Sequence, residues 1–306
     1  MSTQTLPFFS HSHPALRGVG WMLAASLSFA MMASFAKLYS AQLPLADLLF
    51  FRNIPGALII WIWALRTRKS CRSSQWLAQG TCSTLGSCAA LCYFFGVTHL
   101  PLSTAISLNY TMPVFLTLLM WATLHARQRS WVLGMMALSM IGVLSILQPE
   151  LRVQNQAALG FALLSGALDA MIYQRMHKLS EQGEPAWRNS LYHSTFTASY
   201  ALLFLLLYEH RWPHVAPEGI IGVIGLAGFG LLGRLCVTHA FERGNPTIVG
   251  TFSYATVLFS ALVDVLLFQK PINNLGMFGM TLLVGAGMAL TIALRKVAPD
   301  LTHTAE

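Results

Sequence analysis

Charged residues are scarce in this sequence of 306 residues. Only 10% are Asp, Glu, Lys or Arg, whereas 55% are hydrophobic and the mean hydropathy is +0.57. In soluble domains about a quarter of the residues are charged. The composition therefore excludes an ordinary soluble protein, and the links between the apolar stretches are too short to hold a separate soluble domain.

Signatures of catalysis and of metal or nucleotide binding are absent as well. The sequence has no CxxC or HExxH spacing, no P-loop, and no GxSxG motif to accompany its one deeply placed histidine, His193. Among its five cysteines, Cys88 and Cys92 share a helix face, and we interpret them as packing residues. We therefore expect no cofactor and no enzymatic activity, and an ATP-driven pump is excluded.

What the sequence does contain is a series of apolar stretches, each close to the length of about 20 residues that crosses a bilayer. They predict an all-α integral membrane protein with ten transmembrane helices. We interpret the first stretch as a retained span and not as a secretory signal. In chain order the predicted spans are 18–40, 44–65, 76–97, 101–123, 131–148, 157–178, 189–209, 218–240, 246–268 and 274–294.

Lys and Arg are distributed unevenly between the predicted loops. With the N-terminus inside, the inner segments hold twelve of them and the outer segments hold three, Arg152, Arg211 and Lys270. Because cytoplasmic loops carry the excess of basic residues, both termini are predicted to lie in the cytoplasm, in a multi-pass protein of the cell (inner) membrane. The net charge of +8 then reflects the basic cytoplasmic loops. We expect the lipid bilayer as a partner and no nucleic acid.

The second half of the sequence repeats the first. An offset of 144 residues pairs Tyr110 with Tyr254, and an offset of 140 pairs Met31 with Met171. Because five spans is an odd number, the second copy must cross the membrane upside down, as in secondary transporters that bind substrate between their halves. A duplicated scaffold without transport is the alternative. The predicted units are a cytoplasmic tail (1–17), two five-helix repeats (18–148 and 157–294) and a second cytoplasmic tail (295–306).

Two polar segments interrupt apolar spans at equivalent places, LNYTMPVF at 108–115 and FSYATVLF at 252–259. Ser107, just before the first segment, and Tyr110 lie on one helix face, with Asn109 beside them. Their equivalents at the second segment are Thr251, just before it, and Tyr254. Lipid offers such groups no hydrogen-bond partner, so we predict that they face protein or a cavity. Hydrogen bonding between helices is the alternative, above all for Ser and Thr.

Ionisable side chains inside the spans are further candidates. Asp169 lies near the middle of span 6, where a charge costs about 2.5 kcal/mol or more, and Tyr173 shares its face. Arg52 in span 2 corresponds to His193 in span 7, and snorkelling to the membrane surface is the alternative for Arg52. Four residues closer to the span ends are expected mainly at the interface, namely Lys37, Asp47, Arg234 and Asp264.

The segments YFFGVTHLPLSTAISLNYTMPVF (93–115) and AFERGNPTIVGTFSYATVLF (240–259) resemble the EamA-like family of the drug/metabolite transporter superfamily. The resemblance covers about residues 18–295, and Arg52 stands where the family often has an arginine. The sequence has His125 and Gln269 where the family often ends spans 4 and 9 with a Gly-Glu pair, so no role of that glutamate is carried over. The resemblance implies export or uptake of small metabolites such as amino acids.

We therefore expect a secondary transporter that moves a small metabolite, an amino acid or a related amphipathic compound, with export favoured over uptake. A non-transporting membrane assembly subunit is the alternative. Proton coupling through Asp169 is one option for the driving force, and the assembly is expected to be a monomer or a homodimer. The candidate substrate-binding residues are Arg52, Ser107, Asn109, Tyr110, Asp169, Tyr173, His193, Thr251 and Tyr254.

Overall fold

The computed structural model describes residues 17–112, 155–243, 252–270 and 273–297, with parts of the stretch between 113 and 145. Over these ranges it is all-helical and contains no β-strand. The nine α-helices within the described ranges are α1 (Arg17–Leu38), α2 (Leu45–Arg66), α3 (Trp76–His99), α4 (Leu102–Asn109), α5 (Gln156–Glu181), α6 (Ala186–Leu207), α7 (Ile220–Arg243), α8 (Ala255–Leu266) and α9 (Asn274–Val297).

Six helices in the described part of the chain are long and apolar enough to cross a membrane. These are α1, α2, α3, α5, α6 and α7, which correspond to predicted spans 1, 2, 3, 6, 7 and 8. The prediction of a helical membrane protein is therefore confirmed, whereas a count of ten spans is not. More than half of predicted span 5 lies outside the described residues. Predicted spans 4 and 9 contain shorter helices, α4 with 8 residues and α8 with 12.

Proline sets the start of three helices. Pro44, Pro101 and Pro185 stand immediately before α2, α4 and α6, each in an extended conformation with ψ between 140° and 152°. A proline at a helix start costs little, because the N–H that it lacks would have no partner there. The separation between Pro44 and Pro185 equals that between Arg52 and His193. Arg52 and His193 therefore lie at equivalent positions, two turns into α2 and α6.

The contacts between helices come in related pairs. The contact of α1 with α7 corresponds to that of α5 with α3, and the contact of α1 with α8 corresponds to that of α5 with α4. Helix α2 also packs on α6, and α4 packs on α8. Exchanging α1–α4 with α5–α8 leaves this set of contacts unchanged. Large apolar side chains such as Phe94, Leu102, Ile106 and Leu226 fill the shared core at these crossings.

Both polar segments fall at breaks in a helix. Helix α4 ends at Asn109, and a turn follows at Tyr110 and Thr111, whose hydroxyl donates to the Leu108 carbonyl at 2.7 Å. In the second half a turn at Ser253 and Tyr254 precedes α8. The continuous helices expected over 101–123 and 246–268 are therefore interrupted, because the hydroxyl groups in these segments offer the backbone a local alternative to helical hydrogen bonds.

Small residues of the neighbouring helix pack against each break. A Cβ added at Gly166 of α5 would lie 2.8 Å from the Asn109 carbonyl oxygen and 2.8 Å from Thr111 Oγ1. On α1, Ser26 Oγ lies 3.5 Å from the carbonyl oxygens of both Phe252 and Ser253. A large side chain in either place would push the helix away from the exposed backbone of the break.

Three residues expected mainly at the interface, Asp47, Arg234 and Asp264, make polar contacts inside the protein. Asp47 and Asp264 are 0% and 1% exposed, and Arg234 is half-buried with its guanidinium donating to Ser194 Oγ at 2.9 Å. Asp264 accepts the backbone N–H groups of Leu102 and Ser103 at 2.9 and 2.6 Å, so its carboxylate caps the start of α4. A negative charge at a helix N-terminus is stabilised by the free N–H groups and the helix dipole, which offsets the cost of burial.

Candidate functional site

A cavity of about 450 Å³ lies among helices α1 to α6 and the start of α8. Its volume is within the range of about 300–1,000 Å³ typical of small-molecule sites. Helix α3 supplies much of the wall, from Gln79 to Phe94, and the other helices contribute one to four residues each. Both halves of the chain therefore line the same space, and the break after α4 opens onto it through Asn109, Tyr110 and Met112.

Asp169 is the acidic group in the cavity wall. Asn109 donates its side-chain N–H to Asp169 Oδ2 at 2.8 Å and to Ser165 Oγ at 3.0 Å. Asn109 can reach Asp169 because α4 ends there, against Gly166 of α5. The Asn109 amide at the end of α4 thus donates to the Asp169 carboxylate on the neighbouring helix.

Arg52 is the basic group in the cavity wall. Its Nε donates to Met32 Sδ at 3.4 Å, and its guanidinium lies over the Phe94 ring, 5.0 Å from the centroid. Arg52 and Asp169 are close enough to interact electrostatically, yet no ion pair within 4 Å joins them in the part of the chain that the structure describes. A thioether and an aromatic face orient the guanidinium without neutralising its charge.

His193 and Arg234 lie on the same side of the cavity as Arg52. His193 of α6 packs against α3, where a Cβ added at Gly86 would lie 2.6 Å from its Nδ1. The two arginines and the histidine are near enough to influence one another electrostatically. The α2 wall therefore carries positive charge from Arg52, with Arg234 of α7 near it outside the lining, and the α4 and α5 wall carries the carboxylate.

The two tyrosines of the repeated segments meet at the base of the cavity. The ring centroids of Tyr110 and Tyr254 are 5.5 Å apart with the rings tilted by 57°. Tyr110 lines the cavity and its hydroxyl donates to Thr256 Oγ1 at 2.8 Å. Tyr254 is only 2% exposed and lies behind Tyr110, outside the cavity lining. The pair therefore ties the two helix breaks together, with one phenol at the cavity.

The structure brings most of the predicted site residues together. Within the described residues, Arg52, Asn109, Tyr110, Asp169, Tyr173 and His193 line the cavity. Ser107 is fully buried inside α4 and does not line it, and Thr251 lies outside the described residues.

Sequence reasoning missed several lining residues, and they are mainly of one kind. Their side chains are apolar or aromatic, on helices whose membrane-facing and cavity-facing residues look alike in sequence. The polarity of the others was a signal that sequence reasoning could have used, and these are Gln79, Ser83, Asn189, Ser190 and Thr256. The missed apolar and aromatic residues are Phe29, Met32, Ala89, Ala90, Tyr93, Phe94, Met112, Ile172 and Met176.

A polar network lies at the end of the cavity near the α5–α6 link. Glu184, 5% exposed, accepts hydrogen bonds from Ser73 at 2.5 Å and from Arg188 at 2.7 Å, and Gln79 donates to it at 3.5 Å and also bonds Asn189. Burial raises the pKa of Glu184, but these hydrogen bonds outweigh it and hold the pKa below its ordinary value of 4.5. The network joins the α2–α3 link and the start of α3 to the start of α6.

A second group of polar contacts closes the opposite ends of the helices. Asp47 at the start of α2 forms a salt bridge with Arg211, after α6, at 2.5 Å. The hydrogen bond to Asp47 is the main cause that raises the pKa of Arg211. Lys37 at the end of α1 donates to the Leu100 carbonyl, next to the α4 cap formed by Asp264. Both ends of the bundle are therefore held by polar contacts between different helices.

Comparison with known proteins gives consistent results along the whole chain. The sequence model of the EamA-like transporter family matches residues 16–148 and 156–293. The chain is 28% identical to the pseudopaline exporter CntI of Pseudomonas aeruginosa over 283 residues, which is 90% of this chain and 95% of that protein. It is 23% identical to an uncharacterized transporter of Helicobacter pylori over 296 residues, 94% of this chain and 97% of that protein. A solved crystal structure with 19% identity has the same fold, with a TM-score of 0.56 and coverage of 94% of this chain and 99% of the other.

Proposed function

Because the chain belongs to the EamA-like transporter family, we propose that it is a secondary transporter for a small amphipathic metabolite. The proposal has the substrate bound in the cavity between the two halves and carried across the cytoplasmic membrane by alternating access. The observation that carries it is the cavity itself, which is lined from both halves and reached by a helix break at Asn109 and Tyr110. Interrupted helices at a central site are the arrangement by which secondary transporters expose backbone and polar groups to substrate.

The membrane arrangement in this proposal is an inverted repeat of two five-helix units with both termini in the cytoplasm. Its support is the set of helix contacts that stays unchanged when α1–α4 are exchanged with α5–α8. The twelve-to-three distribution of Lys and Arg supports the orientation. In this orientation the Glu184 network lies on the cytoplasmic side and the Asp47–Arg211 salt bridge on the outer side.

Alternating access then requires the two polar closures to open in turn. The Glu184 network holds the cytoplasmic ends of α3 and α6, and the Asp47 and Asp264 contacts hold the outer ends of α1, α2 and α4. Each closure consists of a few charged hydrogen bonds, which are individually worth about 1.5–3 kcal/mol. This is small enough for substrate binding to shift the balance between them. Asp169 is the candidate proton carrier, since it is the carboxylate in the cavity wall.

The substrate is proposed to be amphipathic, and export is the favoured direction. The lining combines rings and aliphatic side chains, such as Tyr93, Phe94 and Ile172, with the charged groups Asp169 and Arg52. Such a lining suits a molecule with an apolar body and a polar head, for example an amino acid. The name of the relative CntI, an exporter, supports export.

The test is efflux from proteoliposomes that contain the purified protein. The vesicles are loaded with a mixture of amino acids and related metabolites, and loss of each compound is followed by mass spectrometry. We expect time-dependent loss of at least one compound, abolished by Asp169→Asn at equal protein content. The matched control is Glu218→Gln, which removes an exposed carboxylate outside the cavity and should leave efflux unchanged.

A protein that only assembles with other membrane components would give a different result. Efflux of every compound would then equal that of empty liposomes, and Asp169→Asn would change nothing. That outcome would overturn the proposal of transport.

A further inference from the structure

The link between α2 and α3 carries a dense group of positive charges. Between positions 66 and 72 the chain has four basic side chains and no acidic one, and all four are exposed: Arg66, Arg68, Lys69 and Arg72. None of them forms an ion pair within the part of the chain that the structure describes. Because α2 and α3 are both long and apolar enough to cross a membrane, this link lies at a membrane surface whichever way the chain crosses. The charges are therefore at the level of the lipid head groups.

The turn that ends α2 fixes the backbone at two of these charges. The N–H of Lys69 donates to the Ala64 carbonyl at 3.0 Å, and the N–H of Arg68 donates to the Leu65 carbonyl at 3.2 Å. This pattern is the Schellman motif, in which the residue after the helix is left-handed and usually glycine. Arg68 has a φ of +51° there, a conformation that strains a residue with a side chain. The chain thus keeps a guanidinium where glycine would fit without strain, which points to a use for the charge.

Aromatic and apolar surface lies beside the charges. Lys69 Nζ is 4.5 Å from the centroid of the Trp63 ring, and Trp63 packs edge-on against Trp187 of α6 with the centroids 5.4 Å apart. Leu65 before the link and Trp76 after it are 69% and 63% exposed. Tryptophan is enriched at the boundary between lipid tails and head groups, because its ring is apolar and its N–H is polar. The positive charges therefore adjoin a surface that suits acyl chains.

Helix α6 holds the link in a defined shape. Arg188 Nη2 donates to the Ser70 carbonyl at 2.9 Å, and Ser73 Oγ donates to Glu184 Oε1 at 2.5 Å. Glu184 also neutralises Arg188, 2.7 Å away, so the excess of positive charge stays on the link. A ligand that binds this ordered link loses less conformational entropy than one that binds a flexible basic tail.

From these contacts we propose that Arg66, Arg68, Lys69 and Arg72, with Trp63 beside them, form a binding site for an anionic phospholipid. The lipid phosphate binds the basic side chains, and the acyl chains lie along the exposed apolar residues at the end of α2 and the start of α3. Four or more basic residues next to a membrane-spanning helix attract anionic lipids. None of these residues lines the cavity, so the inference does not depend on the proposed transport.

The chemistry of this surface distinguishes an anionic lipid from two related ligands. A phosphatidylcholine has the same phosphate and acyl chains but also a quaternary ammonium group, which the basic side chains repel. A free phosphate ion has the negative charge but no acyl chains, so it makes no contact with the apolar surface around Leu65 and Trp76. The anionic phospholipid makes both kinds of contact.

The test is native mass spectrometry of the purified full-length protein in detergent, after co-purified lipid has been removed. The probes are palmitoyl-oleoyl-phosphatidylglycerol, phosphatidylcholine with the same acyl chains, and inorganic phosphate. We expect phosphatidylglycerol to bind saturably and about tenfold more tightly than phosphatidylcholine. Inorganic phosphate at the same concentration should not displace it.

A double variant and a matched control locate the site. Arg68→Gln combined with Lys69→Gln removes two charges from the link, and it should weaken phosphatidylglycerol binding by about tenfold or more and leave phosphatidylcholine binding unchanged. The control, Arg175→Gln combined with Lys178→Gln, removes two exposed charges near the end of α5, at the same end of the bundle. It should change neither affinity.

A single variant separates lost binding from lost folding. Arg68→Gly removes one charge and also relieves the strain at the left-handed position, so thermal unfolding in lipid-free detergent should show a protein at least as stable as the unaltered one. Its phosphatidylglycerol binding should nevertheless be weaker. This variant decides the question if the double variant fails to fold.

Three results would overturn this inference. Phosphatidylcholine binds as tightly as phosphatidylglycerol, inorganic phosphate displaces the lipid, or the two double variants weaken binding equally. The last result would show that the lipid responds to the net charge of the protein and not to this site.

Discussion

The contact between α5 and the break in α4 predicts a strong effect of a single methyl group. In Gly166→Ala the new Cβ would lie 2.8 Å from the Asn109 carbonyl oxygen and 3.1 Å from the Leu108 carbonyl oxygen, whereas ordinary contacts begin at 3.4 Å. These neighbours are backbone atoms, so they cannot rotate away, and α4 or α5 must shift by about half an ångström. Overpacking of this kind costs about 1–3 kcal/mol, which exceeds the gain of about 0.5–1 kcal/mol for replacing Gly by Ala in a helix.

The control for this prediction lies on the same helix. In Gly160→Ala the new Cβ has no neighbour within 4 Å, so only the favourable helix effect applies. Thermal unfolding of the purified proteins in detergent, followed by tryptophan fluorescence, should show Gly166→Ala less stable than the unaltered protein and Gly160→Ala equally or more stable. Equal stability of the two variants would refute the close contact at the break.

The other predictions concern the Tyr110–Thr256 hydrogen bond, the Glu184 network and the membrane orientation. Tyr110→Phe should lower the free energy of unfolding by about 0.5–1.5 kcal/mol, because Thr256 loses its donor; an unchanged unfolding curve would show that this bond contributes nothing. Glu184→Gln should be less stable than the unaltered protein at neutral pH. Since the folded pKa of Glu184 is below 4.5, its contribution is present above that value and is lost as the pH falls through the folded pKa. The stability difference should therefore shrink at acid pH, and a difference that grows there would contradict the assignment. A reporter active only outside the cytoplasm should be silent after Glu306 and active near Gln154, and activity at both would contradict the inverted repeat.

Much of the fold follows from simple sequence properties. Long apolar stretches predicted the helices α1, α2, α3, α5, α6 and α7, because a span must bury all its backbone polar groups within itself. The high cost of a charge in lipid pointed to Asp169 and Arg52, and both line the cavity. These features depend on local composition, which a single sequence displays directly.

Features that depend on contacts between distant residues could not be predicted in the same way. Asp264 caps α4 from 162 residues away, and near a span end it looks like any interface residue. The break after Asn109 packs against Gly166 of another helix, and the Asn109–Asp169 bond joins residues that are 60 positions apart. The aromatic wall formed by Tyr93 and Phe94 is hidden because lipid and a cavity select similar side chains.

The central claim is that substrate passes through the cavity, and a native cysteine allows a direct test. Cys82 lines the cavity, whereas Cys88 on the same helix is exposed and lies outside the lining. Two variants, each with one of these cysteines and serine in place of the other four, are labelled with a bulky membrane-permeant thiol reagent and assayed for metabolite efflux from proteoliposomes. We predict that labelling stops efflux in the Cys82 variant and leaves it unchanged in the Cys88 variant. Undiminished efflux by a fully labelled Cys82 variant would contradict the account.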